Sequence, residues 1–174
     1  MSGQAEFPEV LLRMFTFQAR QPDPASLVIA QAEAAIQAGF ECPALYMLVG
    51  LVPRLTDREE LQRHLEQVLE ELGLPRPSAR DLLLCEARQQ AERLFSGELT
   101  PVDFLSRLYM LSLEDEELAR EQGQPQGLAR EPWLILDDRL EVLTSGWEKE
   151  SLADIERDIR EAAEGILAPR GPRR

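Results

Sequence analysis

Helix starts and helix stops recur every few turns along this chain, which favours many short helices. Thr56 followed by Glu59 reads as a capping box, in which a hydroxyl and a carboxylate each satisfy an unpaired backbone N–H. Leu61, Leu65, Val68, Leu69 and Leu72 follow at helical spacing, and Gly73 and Pro75 close the segment. Ser78 with Asp81 opens a second such unit, carried by Leu83, Leu84, Ala87, Ala91, Leu94 and Phe95 and stopped at Gly97. In the next, Thr100 suits the cap, Pro101 the first helical position and Asp103 the positive helix end, ahead of Phe104, Leu105, Leu108 and Tyr109. A turn and a helix start account for every polar residue of "SGELTPVDF".

Thr56, Ser78 and Thr100 stand 22 residues apart, with leucines in a shared phase at Leu61, Leu83 and Leu105. Beyond caps and leucines the three units do not resemble one another. Helices of similar length joined by short turns give such a period without a repeat.

Three helices are expected before these. Phe7, Val10, Leu11, Met14 and Phe15 form one stripe, with Pro8 in the first turn. Asp23 and Pro24 open a helix of small residues whose Val28, Ala32, Ala35 and Ile36 share a face, with Gly39 at its end. The segment "PALYMLVGLVP" is apolar on every side and bracketed by Pro43 and Pro53, which limit it to about three turns. It is either a central helix wrapped by the others or a surface for a partner subunit, and the central position is the preferred reading.

After Leu111 the helical pattern degrades. "SLEDEELAREQ" reads as a separate, short acidic helix and residues 123–132 as a loop, from their Gly, Pro and Gln content. Residues 131–146 are ambiguous: a helix starting near Pro132 fits the surroundings, while the alternation about Leu140 and Val142 would suit a strand. The helix is preferred. Ser151 with Asp154 caps a last helix lined by Leu152, Ile155, Ile159, Ala162, Ala163, Ile166 and Leu167. The fold class is therefore all-α: a single-domain bundle of about six to eight short antiparallel helices over residues 1–168, little or no sheet, and a disordered basic tail at 169–174.

Composition narrows the chemistry. The chain has 174 residues, enough to bury a sizeable core, with 19 basic and 32 acidic residues for a formal net charge of −13. Such a balance opposes direct binding to nucleic acid or to an anionic membrane and favours a basic protein partner. The longest apolar run, residues 44–52, has nine residues, roughly half of the ~18 that span a bilayer. The opening "MSGQAEFPEV" lacks the basic start and apolar stretch of a secretion signal, so the expected location is cytoplasmic. Cys42 and Cys85 lack a Cys-x-x-Cys spacing and are expected to be reduced and buried.

Catalysis needs a nucleophile with a base, a metal set, paired acids in a cleft or a cofactor loop. His64, the one histidine, lies at the edge of a leucine stripe, where a packed core-boundary residue is expected. No glycine-rich phosphate loop, G-x-S-x-G elbow or H-E-x-x-H motif occurs. The acids Glu114, Asp115, Glu116, Glu117 and Glu121 point around a helix in several directions and do not converge on one ion. No catalytic, cofactor-binding or metal-binding residues are assigned, and no cofactor is expected.

Two functions follow as expectations. The first is a non-catalytic cytoplasmic interaction module, an adaptor or an inhibitor of the immunity type, that covers a basic protein. Its contact residues would be Glu114, Asp115, Glu116, Glu117, Glu121, Trp133 and Trp147, because acidic surfaces speed encounter with basic ones and tryptophan is favoured at binding hot spots. Both tryptophans could instead fill the core where the last helix docks. The alternative is a homo-oligomeric helical protein, structural or binding a small ligand, whose "ALYMLVGLV" segment forms a homodimer interface or lines a pocket.

Overall fold

The computed structural model describes residues 7–123, 128–145 and 151–168, and the described residues form eight α-helices and one single-turn 3-10 helix with no strand. The chain divides into two compact units, one within residues 1–85 and the other within 86–174. The expected all-helical class is thus what the described residues adopt, and of the ambiguous segment 131–146 the described part, residues 131–145, is helix and turn with no strand. Among the described residues, no helix is long and apolar enough to cross a membrane.

In the first unit, α1 (Glu9–Arg20) packs on α2 (Ala25–Gln37), α2 on α3 (Pro43–Val49), and α3 on α4 (Arg58–Leu72), while α4 also meets α1 and α2. Its core joins Leu11, Met14 and Phe15 to Val28, Ala32 and Ala35, to Leu45 and Leu48, and to Leu61, Leu65 and Val68. The alanines of α2 let neighbouring backbones approach closely. Phe7 sets its ring edge-on to Phe15, centroids 6.0 Å apart at 89°, which fixes the entry to α1.

Two expectations here need correction. Residue 24, not Asp23, occupies the cap position of α2, and Pro24 supplies no side-chain hydrogen bond there. At α4 the cap is Asp57, whose Oδ1 accepts from the N–H of Glu60 at 2.8 Å, while Thr56 Oγ1 donates to the carbonyl of Val52 at 2.9 Å. The predicted Thr56–Glu59 capping box does not form because the hydroxyl closes the 3-10 turn Pro53–Leu55 instead. With the first cap one residue later, the three helix starts stand 21 and 22 residues apart, while Leu61, Leu83 and Leu105 keep their common phase and are all buried. Gly73, at φ 64°, ends α4 in the left-handed conformation that glycine adopts without strain.

The division between units falls within α5 (Ala79–Ser96). Its start is as predicted: Asp81 N–H donates to Ser78 Oγ at 3.1 Å and Ser78 N–H to Asp81 Oδ2 at 3.1 Å. Leu83, Ala87, Ala91 and Leu94 are buried, but Phe95, assigned to the same stripe, is exposed.

In the second unit α6 (Pro101–Gln122), α7 (Glu131–Thr144) and α8 (Leu152–Leu167) all pack on one another. Thr100 Oγ1 accepts from Asp103 N–H at 3.2 Å with Pro101 in the first turn, as predicted. The separate acidic helix is not separate: α6 runs unbroken for 22 residues to Gly123. Its buried stripe continues past Leu111 through Ser112, Asp115 and Ala119, so the helical period persists while its apolar signature fades. Ser151 Oγ accepts from Asp154 N–H at 3.2 Å to start α8, whose buried face is Ile155, Ile159 and Ala163. Leu152 and Leu167, placed on that face by periodicity, are exposed at its two ends.

Candidate partner-binding surfaces

The acidic run on α6 is sorted by the helix into inward and outward residues. Asp115 is buried, and its Oδ2 accepts from the N–H of Leu128 at 2.9 Å, so it fastens the chain that follows α6 back onto that helix. Glu116 is half-buried between two guanidinium groups, with Oε1 2.9 Å from Arg120 and Oε2 3.1 Å from Arg130. Glu114 is half-buried as well, while Glu117 and Glu121 lie on the exposed side. One turn apart, these two are the carboxylates of the run presented to solvent.

Arg130 anchors the start of α7. Its guanidinium reaches Glu116, makes a long 3.5 Å contact to the hydroxyl of Tyr109 and lies 5.8 Å from that ring's centroid. Tyr109 first, and Glu116 after it, push its pKa above the ordinary arginine value, so the charge is firmly held. Its Nε is buried and has no acceptor among the described residues. Trp133 is buried as well, edge-on to Phe104 with centroids 5.8 Å apart at 82°. It occupies the core position that sequence reasoning offered as the alternative to a hot spot.

Trp147 lies outside the described residues. Of the seven residues named as a contact surface, the structure leaves Glu117 and Glu121 exposed and takes Asp115 and Trp133 into the interior. Burial was not legible for Asp115, because only its spacing from Leu108, Leu111 and Ala119 marks it as inward, against its chemical type.

The first unit carries a surface of different character. Ala44, Leu45 and Leu48 turn the inner face of α3 into the core, while Tyr46 and Met47 face solvent. Val52 and Leu55 are exposed as well, just before and in the 3-10 turn, which rests on α2. The segment read as central is therefore central on one side only. Its N-terminus is held from α4, where Glu71 Oε2 accepts from the N–H of Ala44 at 2.9 Å.

Cys42, beside that contact, and Cys85 are both buried, as expected, and neither is in a disulfide. Burial above all, and Glu71 after it, raises the Cys42 thiol above its ordinary pKa, which keeps it protonated and unreactive at neutral pH. His64 is buried in α4 with Nδ1 3.2 Å from Gln67 Oε1, the packed role expected of it. Among the described residues no group of three or more His, Cys, Asp or Glu is placed to hold a metal ion.

No protein-family model matches the chain, and neither the curated proteins nor the solved structures contain a match to it.

Proposed function

We propose that the protein is a non-catalytic cytoplasmic interaction module, an adaptor or an inhibitor of the immunity type, that engages a basic protein through its acidic surface. The observation that carries this reading is the excess of 32 acidic over 19 basic residues, expressed on α6 as Glu117 and Glu121 facing solvent one turn apart. Exposed Glu131, Asp138 and Glu141 add carboxylates on α7 of the same unit. Carboxylates so placed accelerate encounter with a basic surface and are screened by salt. The inward members of the run hold the unit together and leave the outward ones free for recognition.

The test is capture of partners from native lysate by the wild type and by a Glu117→Arg/Glu121→Arg double variant, at low and high salt. A basic protein retained in stoichiometric amount at low salt, released at high salt and lost by the double variant supports the module. Capture indifferent to both salt and charge reversal overturns it.

A further inference from the structure

Helix α3 and the 3-10 turn after it present a row of exposed apolar side chains: Tyr46 is 54 % exposed, Met47 58 %, Val52 54 % and Leu55 82 %. Four large apolar side chains left this open within ten residues of chain are candidates for a surface that another surface covers. Tyrosine and methionine are enriched at interface cores, and charged residues are depleted there. Residues 42–56 fit that pattern, since all 32 acidic residues of the chain lie outside them and Arg54 is their one charge.

Charge distribution decides the occupant. Two copies of a chain of net charge −13 repel each other over most of their surfaces. The acid-free row is where they can meet without that cost. The segment also carries opposite charges at its two ends: exposed Glu41 and Glu71 stand at the α3 N-terminus, and exposed Arg54 stands in the 3-10 turn that follows the helix. Beyond the turn, Asp57 is engaged with the N–H of Glu60, and Glu59 is exposed. An antiparallel, two-fold pairing sets Arg54 of each copy toward the Glu41–Glu71 end of the other, with Tyr46, Met47, Val52 and Leu55 between. Self-complementarity of this kind is what an isologous dimer interface requires.

We propose that the α3 face and the adjoining 3-10 turn form a homodimer interface in which a second copy of this chain packs antiparallel on Tyr46, Met47, Val52 and Leu55. The row is small beside the ~800 Å² per partner of a stable interface, so the dimer is weak and exchanges with free chains.

Sedimentation equilibrium of the full chain over a wide concentration range tests this, with circular dichroism run alongside. The wild type is expected to move from the mass of one chain toward two as concentration rises, with a dissociation constant in the micromolar range. Met47→Asp and, separately, Leu55→Asp should each weaken association by about tenfold or more, with ellipticity and melting unchanged. Leu55 lies outside α3, so the pair distinguishes lost association from a lost helix. Arg54→Glu should weaken it several-fold. A wild type that stays at one chain throughout, or variants that dimerise as it does, overturns the interface. Loss with Met47→Asp but none with Arg54→Glu overturns the antiparallel register.

Discussion

Asp115 and Leu128 are joined by a hydrogen bond from backbone N–H to side-chain oxygen, 2.9 Å long and buried, that ties the chain after α6 back to the middle of that helix. An acid in a run of acids is thus a structural fastener, while Glu117, two residues on, stands in solvent. Replacing Asp115 by Ala leaves the Leu128 N–H without its partner in the interior, a loss of about 1–3 kcal/mol. Replacing Glu117 by Ala is expected to change stability by less than about 0.5 kcal/mol. Urea denaturation of the two variants beside the wild type measures the contrast, and equal effects would contradict the assignment.

Arg58 closes the end of α1 from the start of α4. Its Nη1 donates to the carbonyl of Gln18 at 2.7 Å and its Nη2 to that of Gln21 at 2.5 Å, where helix carbonyls lack partners of their own. A cation at a helix C-terminus stabilises by about 0.3–1 kcal/mol, and Arg58→Ala should lose about that much. Lysine retains the charge without the two-pronged geometry, so Arg58→Lys should fall between. Amide exchange at Arg20 and Gln21 should quicken in the alanine variant while that of α8 stays unchanged.

Acid should loosen α8 from its N-terminus. The Ser151 hydroxyl and backbone N–H, and after them Arg157, hold Asp154 below the ordinary value of 3.8. A carboxyl with a depressed folded pKa contributes stability that is fully present above the unfolded pKa and is lost as pH falls through the folded one. The stability difference between wild type and Asp154→Asn should therefore be largest near neutrality and shrink on acidification below that value. Denaturation curves at a series of pH values would show it, and a gap that widens with acid would refute it.

Alkali acts on Cys42 in the opposite sense. Its thiol is raised above 9.0 in the folded state, chiefly by burial, so this group's contribution to stability is intact below the unfolded pKa and declines as pH rises through the folded one. Alkylation by iodoacetamide at neutral pH should be slow at Cys42 in the native protein and fast in denaturant, as mass mapping of the labelled peptide would report. Rapid native labelling would mean that the thiol is not enclosed.

Helix starts were largely legible, because Ser78, Thr100 and Ser151 each combine a cap with an acid three residues on. The exception is instructive. Thr56 and Asp57 are both good cap formers, and only the 3-10 turn, which engages the Thr56 hydroxyl, decides between them. The length of α6 was obscured for a related reason: Ser112 and Asp115 occupy buried positions, and hydrophobic periodicity does not register polar residues that face inward with their partners supplied. Periodicity was equally silent on α3. A segment apolar on every side does not reveal which side is covered, so the exposure of Tyr46 and Met47 had to come from the structure.

The burial of Trp133 against Phe104 gives the molecule an uneven optical signature. Both tryptophans of the chain, Trp133 and Trp147, lie in the second half, so light that excites indole alone sees nothing of α1 to α4. Emission follows the second unit, whereas far-ultraviolet ellipticity sums every helix. Coincidence of the two signals during unfolding would mark one cooperative block, and a separation between them would reveal two halves that melt on their own terms.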